Sequence, residues 1–237
     1  MPTDQTRLPL SNRIDKVAPS ATLAVDMKAK AMKAQGIDII GFGVGEPNFA
    51  TPEAIVEAAA AAVVNPANYK YSPTPGLPEL RQAIASKTLR DSGYEVEPEQ
   101  VVVTNGGKQA VYEAFQLIVN DGDEVIIPTP CWVSYPEIVR IVGGVPVLVQ
   151  GDVKKGFVTE AEDLAPYVTE RTKALILNSP NNPNGCIWNR EQLAGIAKLA
   201  VEKGFYVVSD EIYEKLIADC ALTPERTLFI DDTLPNV

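Results

Sequence analysis

Short apolar runs that do not alternate with polar residues recur along this chain, and most are separated by stretches of helical periodicity. The runs fall at 37–42, 101–104, 124–127, 145–149, 174–177 and 205–209, are largely β-branched, and predict strands. Helical spacing of apolar positions predicts helices at 21–35, 52–64, 77–92, 108–119, 132–141 and 190–202. Gly36 and Gly93 stand where the first and third of these should stop, Thr51 is placed to cap the second, and Pro52 suits its first turn. Residues 65–75 read as a loop holding Tyr69 and Tyr71. A strand without alternation is buried on both faces, so this order predicts a mostly parallel sheet between two helical layers, a three-layer α/β/α fold. Ligands of such sheets sit beyond the carboxyl ends of the strands. That rule singles out residues 105–108, 128–132, 178–185 and 210–213.

Composition narrows the function classes. The 237 residues suffice for one large α/β domain or two small ones, and 46% hydrophobic with 22% charged residues is a normal globular balance. A net charge of −10 argues against a nucleic-acid surface, and no apolar run approaches a membrane span. The polar first 20 residues lack a signal-peptide core. Cys131, Cys186 and Cys220 are odd in number and widely spaced, which fits reduced thiols in a cytoplasmic protein. The chain has no histidine, so Ser-His and Cys-His triads are excluded.

The strand ends carry the candidate chemistry. Thr104-Asn105-Gly106-Gly107-Lys108-Gln109 is a strand, a glycine turn and a helix start, either a plain tight turn or an anion cradle of free N–H groups. A nucleotide P-loop fits poorly, because Val102 and Gln109 stand where glycine and Ser or Thr are needed. Asp210 follows an apolar strand, and Tyr213 comes three residues later. Alone they read as a helix cap and a half-buried tyrosine; together they could hold a pyridinium nitrogen and a phenolate oxygen. Asn182, in a turn dense with Asn and Pro, could hydrogen-bond the same oxygen, and Trp132 could cover an aromatic cofactor or simply fill the core. Cys131 reads as structural.

Taken together, the blocks Pro19-Ser20-Ala21-Thr22, Gly45-Glu46-Pro47-Asn48-Phe49, Lys70-Tyr71, Gly76-Leu77-Pro78-Glu79-Leu80-Arg81, Gly106-Gly107-Lys108-Gln109, Trp132-Val133-Ser134-Tyr135-Pro136, Asn178-Ser179-Pro180-Asn181-Asn182-Pro183 and Ser209-Asp210-Glu211-Ile212-Tyr213-Glu214 carry a family likeness. Residues 11–217 resemble the class I, fold-type I aminotransferases, in their bacterial aspartate aminotransferase branch. The resemblance implies a pyridoxal 5'-phosphate pocket. In it Gly107 and Lys108 give backbone donors to the phosphate, Trp132 stacks on the ring, Asn182 and Tyr213 bind the ring oxygen, and Asp210 binds the ring nitrogen. Tyr71 would reach the phosphate of a neighbouring subunit in a homodimer. Gly45 would present backbone to the substrate carboxylate, and Ser20, Thr22 and the Lys108 side chain match positions linked with acidic substrates. Amino transfer between aspartate or glutamate and a 2-oxo acid, with prephenate a candidate acceptor, is the implied activity.

Two departures temper that expectation. Pro183-Asn184-Gly185 stands where the family has Pro-Thr-Gly. More seriously, the resemblance implies a Schiff-base lysine after the next strand, and the last lysine here is Lys215, two residues after Tyr213 and too early for the role. The small domain of the family also has no counterpart here. The reading divides the chain into an N-terminal arm (1–45), a partial cofactor-binding domain (46–218) and a foreign or divergent tail (219–237). The tail is similar to the late acidic motif of haloacid-dehalogenase-like hydrolases, in which Asp231 and Asp232 would face Mg²⁺. In a competing reading, 225–230 is the next aminotransferase strand. Three functions follow in order: an aminotransferase inactive as this chain alone, a non-catalytic fragment or partner-binding remnant, and a remnant phosphohydrolase.

Overall fold

The computed structural model describes residues 10–41, 43, 45 and 49–216. Parts of three expectations lie outside the described residues: the end of the 37–42 run, Glu46-Pro47-Asn48 of the Gly45–Phe49 block, and the whole tail with Cys220, Asp231 and Asp232. The main elements run α1 (Ala21–Ala34), α2 (Glu53–Val63), α3 (Pro78–Ser92), α4 (Gly107–Ile118), β1 (Glu124–Thr129), α5 (Ser134–Ile141), β2 (Val145–Gln150), α6 (Ala161–Leu164), β3 (Thr172–Asn178), α7 (Arg190–Lys203) and β4 (Tyr206–Asp210).

The strands form one parallel sheet in the order β2-β1-β3-β4. Alternate side chains on each strand go to opposite faces, and each face is covered. Val125, Ile127, Ala174 and Ile176 meet Val111, Phe115 and Val119 after or on α4, and Tyr135, Ile138, Val139 and Val142 after or on α5. Ile126, Val149, Leu175 and Leu177 face the other way, toward Leu164, Trp188, Ile196, Leu199, Ala200 and Phe205. That double burial is why the strands read as unbroken apolar runs; each large side chain so buried contributes about 1.5–3 kcal/mol. The α/β/α reading therefore holds.

Local chemistry sets the helix ends. Ser20 Oγ accepts the Leu23 N–H at 3.3 Å and starts α1. Asn189 and Gln192 form a reciprocal capping box at the start of α7. Gly93 and Gly204 close α3 and α7 in the left-handed region, at φ 73° and 74°, where a Cβ is disfavoured.

Several expectations shift. Two predicted strands do not form. Residues 37–41 are irregular, and so are 101–104, where the Val101 carbonyl accepts Arg81 Nε–H at 3.0 Å and Val103 N–H donates to the Pro75 carbonyl at 2.9 Å. A strand exists only with a neighbour to pair with, and these segments meet none among the described residues. The cap of α2 is Pro52 rather than Thr51, and α5 starts at Ser134 rather than Trp132. No helix among the described residues is long and apolar enough to cross a membrane.

Candidate active site

Parallel register carries β3 and β4 to a common end, where Asn178 pairs with Asp210. The Asn178 side-chain amide donates to the Asp210 carbonyl at 2.9 Å, and its Oδ1 accepts the Asn182 N–H at 2.7 Å. This one buried side chain therefore ties the turn after β3 to the end of β4. It delivers Asn182 to Tyr213: the Asn182 Nδ2 donates to the Tyr213 hydroxyl at 3.0 Å. The two residues expected to share one ring oxygen are thus already side by side.

Asp210 is held by two donors. Its Oδ2 accepts the Tyr135 hydroxyl at 2.6 Å, and its Oδ1 accepts the Ile212 N–H at 3.1 Å. Each oxygen keeps a further lone pair for another donor. Tyr135 lies on α5 and is 2% exposed. Burial first, then the hydrogen bond to Asp210, pushes its phenol far above the ordinary tyrosine range, so it stays a donor. Trp132 meets Tyr135 edge-on, with ring centroids 5.2 Å apart and planes at 84°. The Lys108 ammonium stands 5.0 Å above the centre of the indole, a cation–π contact.

The glycine turn expected before α4 forms. Gly106 precedes α4 at φ 79°, a backbone that favours glycine, and the N–H groups of Gly107 and Lys108 open the first turn without an intrahelical acceptor. A Cβ on Gly107 would lie 3.7 Å from Ile212 Cδ1, so this helix start faces the turn after β4. Gly107, Lys108, Trp132, Asn182, Asp210 and Tyr213 accordingly share the C-terminal edge of the sheet.

The other expected residues stand apart. Tyr71 is fully exposed in its loop, Gly45 is exposed, Ser20 spends its hydroxyl capping α1, and Thr22 is half-buried in the first turn of that helix. No hydrogen bond among the described residues joins them to the Asn182–Tyr213–Asp210 group. The segment before Ser20 is tied to α5, because Ala18 N–H donates to Glu137 Oε2 at 2.8 Å. Lys215 lies 3.0 Å from Asp91, whose carboxyl is held far below the ordinary range by Arg90 and then Lys215. Burial pushes the Cys131 thiol up to about 11 and raises that of Cys186, which suits inert thiols.

Sequence reasoning quoted Tyr135 and Asn178 inside motifs without assigning either a role. The signal was their presence beside Trp132 and Asn182 in blocks whose other members were chosen; their use depends on a strand pairing the sequence does not display.

The family profile described as aminotransferase class I and II matches residues 37–235. The chain belongs to the class I and II aminotransferases. Within them it falls in the aspartate aminotransferase branch. It is 54% identical to an aspartate aminotransferase of Streptomyces avermitilis over 215 residues, covering 91% of this chain and 53% of that one. An aspartate/prephenate aminotransferase of Thermus thermophilus is 47% identical over 228 residues, 94% of this chain and 59% of its own length. The solved structure of Thermus thermophilus aspartate aminotransferase with maleate superposes with a TM-score of 0.84 at 48% identity, covering 93% of this chain and 58% of that chain. This aminotransferase chain spans little more than half the length of these relatives.

Proposed function

We propose that the C-terminal edge of the sheet is a pyridoxal 5'-phosphate site of an enzyme that moves an amino group between an acidic amino acid and a 2-oxo acid. The observation that carries this reading is the Asn182–Tyr213 pair, 3.0 Å apart, beside an Asp210 carboxylate that two donors already orient. The donor set matches that cofactor group by group: a carboxylate for the pyridine nitrogen, a phenol and an amide for the ring oxygen, an indole face for the ring, and a helix start for the phosphate. When bound, pyridoxal phosphate supplies an electron sink for the bond broken at the substrate α-carbon. Asp210 holds a proton at the ring nitrogen. Tyr213 and Asn182 would donate to the ring oxygen. Gly107 and Lys108 donate their N–H groups to the phosphate, and Trp132 keeps water from one ring face.

Substrate selection rests on the acidic-substrate names of the relatives and on Lys108, Ser20, Thr22 and Gly45. An ammonium beside the pocket suits a second carboxylate, and prephenate is a further acceptor by likeness to the Thermus protein. Tyr71 serves the phosphate of a partner copy in a homodimer, which accounts for its full exposure here. A cytoplasmic location follows the same reading.

Lys215 is engaged by Asp91 at 3.0 Å rather than by the Asn182–Tyr213–Asp210 group. The test is an absorbance spectrum of the purified chain with pyridoxal phosphate, before and after borohydride, followed by peptide mapping. Saturable binding is the expected result, and no saturable binding would overturn the cofactor site.

A further inference from the structure

We infer that Tyr135 is a positioning residue for Asp210, acting from α5 on the carboxylate that the pocket presents at the end of β4. The inference rests on the cofactor site proposed above and deepens it.

Asp210 ends an outer strand and begins a turn, a place where a carboxylate is ordinarily free to rotate. Here it is fixed from two directions: Ile212 N–H, from its own turn, holds Oδ1 at 3.1 Å, and the Tyr135 hydroxyl, from the helical layer 75 residues earlier in the chain, holds Oδ2 at 2.6 Å. The first bond is local and would form in many turns. The second exists only because α5 packs its buried face on the sheet. Tyr135 is 2% exposed and belongs to the same core as Phe115, Val125 and Ile176, so its ring cannot swing away. A donor placed by a packed core costs little further ordering, whereas a surface donor must lose rotamer freedom each time it binds.

The same ring has a second contact. Its edge meets Trp132 at 5.2 Å and 84°. One side chain thereby sets the carboxylate at one end of the site and the indole at its side, and keeps the two in register. Among the charged and titratable groups around the Tyr135 hydroxyl are Asp210, Cys131 and Tyr213. Of these Asp210 is the acceptor, so the phenol stays protonated and serves as a permanent donor.

Tyr135→Phe separates the roles, because it removes the hydroxyl and leaves the ring against Trp132. Pyridoxal phosphate affinity is measured by equilibrium dialysis for the unsubstituted chain, Tyr135→Phe, Asp210→Ala and the double variant, with thermal melts to confirm folding. Removing one charge-assisted hydrogen bond should weaken binding about ten-fold when Asp210 is present. In the Asp210→Ala background the same change should alter it by less than about two-fold. Equal weakening in both backgrounds, or none in either, overturns the inference, since a merely structural role is blind to residue 210. A second readout needs no cofactor: the carbon-13 resonance of the Tyr135 ring carbon bearing the hydroxyl should move in Asp210→Ala. An unmoved resonance overturns the coupling even if the unsubstituted chain binds no pyridoxal phosphate. That last result by itself would count against the cofactor site and leave the coupling to be decided by the resonance.

Discussion

The two ends of this chain use apolar residues in opposite ways. Beyond α4 the central strands β1 and β3 are sandwiched, and Val125, Ile126, Ile127, Ala174 and Leu175 are completely buried. In the first hundred residues, α1, which Ser20 caps, and α2 have no buried residue at all. Leu23, Val25, Met27, Ile55, Val56 and Val63 are each more than half exposed. The helical pattern is as clear in one half as in the other, yet only one half has found a surface to pack on. Periodicity and caps make a helix; they do not say what it will dock against.

The largest expected effect tests that contrast directly. Ile126→Ala or Leu175→Ala should destabilise the chain by about 2–5 kcal/mol, while Val25→Ala in α1 should stay within about 0.5 kcal/mol, read from urea midpoints. A large cost at Val25 would mean that α1 is buried in solution and would break the comparison.

A smaller effect concerns the base of the sheet. Glu124 starts β1 and is buried; hydrogen bonds from Thr169 and then Arg171 hold its carboxyl below the ordinary glutamate range. A depressed carboxyl adds stability that is complete above its unfolded value and is lost as the pH falls through its folded one. Glu124→Gln should therefore cost about 1–3 kcal/mol at neutral pH and nothing once both forms are protonated. Unfolding midpoints taken from neutral to acid pH should converge; parallel curves would remove the assignment.

The smallest effect compares two caps. Asn189→Ala and Ser20→Ala each remove a cap worth about 1 kcal/mol. At α7, which is packed on the sheet, the loss should shift the global unfolding midpoint. At α1 it should show as faster amide exchange in the first turn with little change in the midpoint. Equal shifts in the midpoint would show that α1 unfolds together with the sheet.

Much of the site was legible because its members are spaced by local rules. Asn182 sits in a turn of Asn and Pro, Asp210 and Tyr213 follow an apolar run, and Gly106-Gly107 opens a helix; each can be read within a few residues. Tyr135 was not legible as a partner of Asp210. It looked like one more aromatic on an amphipathic helix, and so it would be without α5 packing on the sheet and bringing its hydroxyl to Asp210. Asn178 was hidden in the same way, because its two bonds depend on β3 pairing with β4. The run at 101–104 erred in the opposite direction: its composition suits a strand, but composition cannot supply a neighbour.

The sequence by itself determined the order of the strands and helices that pack, and the order of motifs that marks an aminotransferase. These are short-range properties, set by backbone preferences and side-chain spacing over a turn or two of chain. The tertiary structure alone decided which apolar runs became strands, which helices stayed exposed, and which buried hydroxyl took hold of Asp210. Those outcomes depend on contacts between residues as far apart as Tyr135 and Asp210, and pairing or burial is a property of two surfaces meeting rather than of either one.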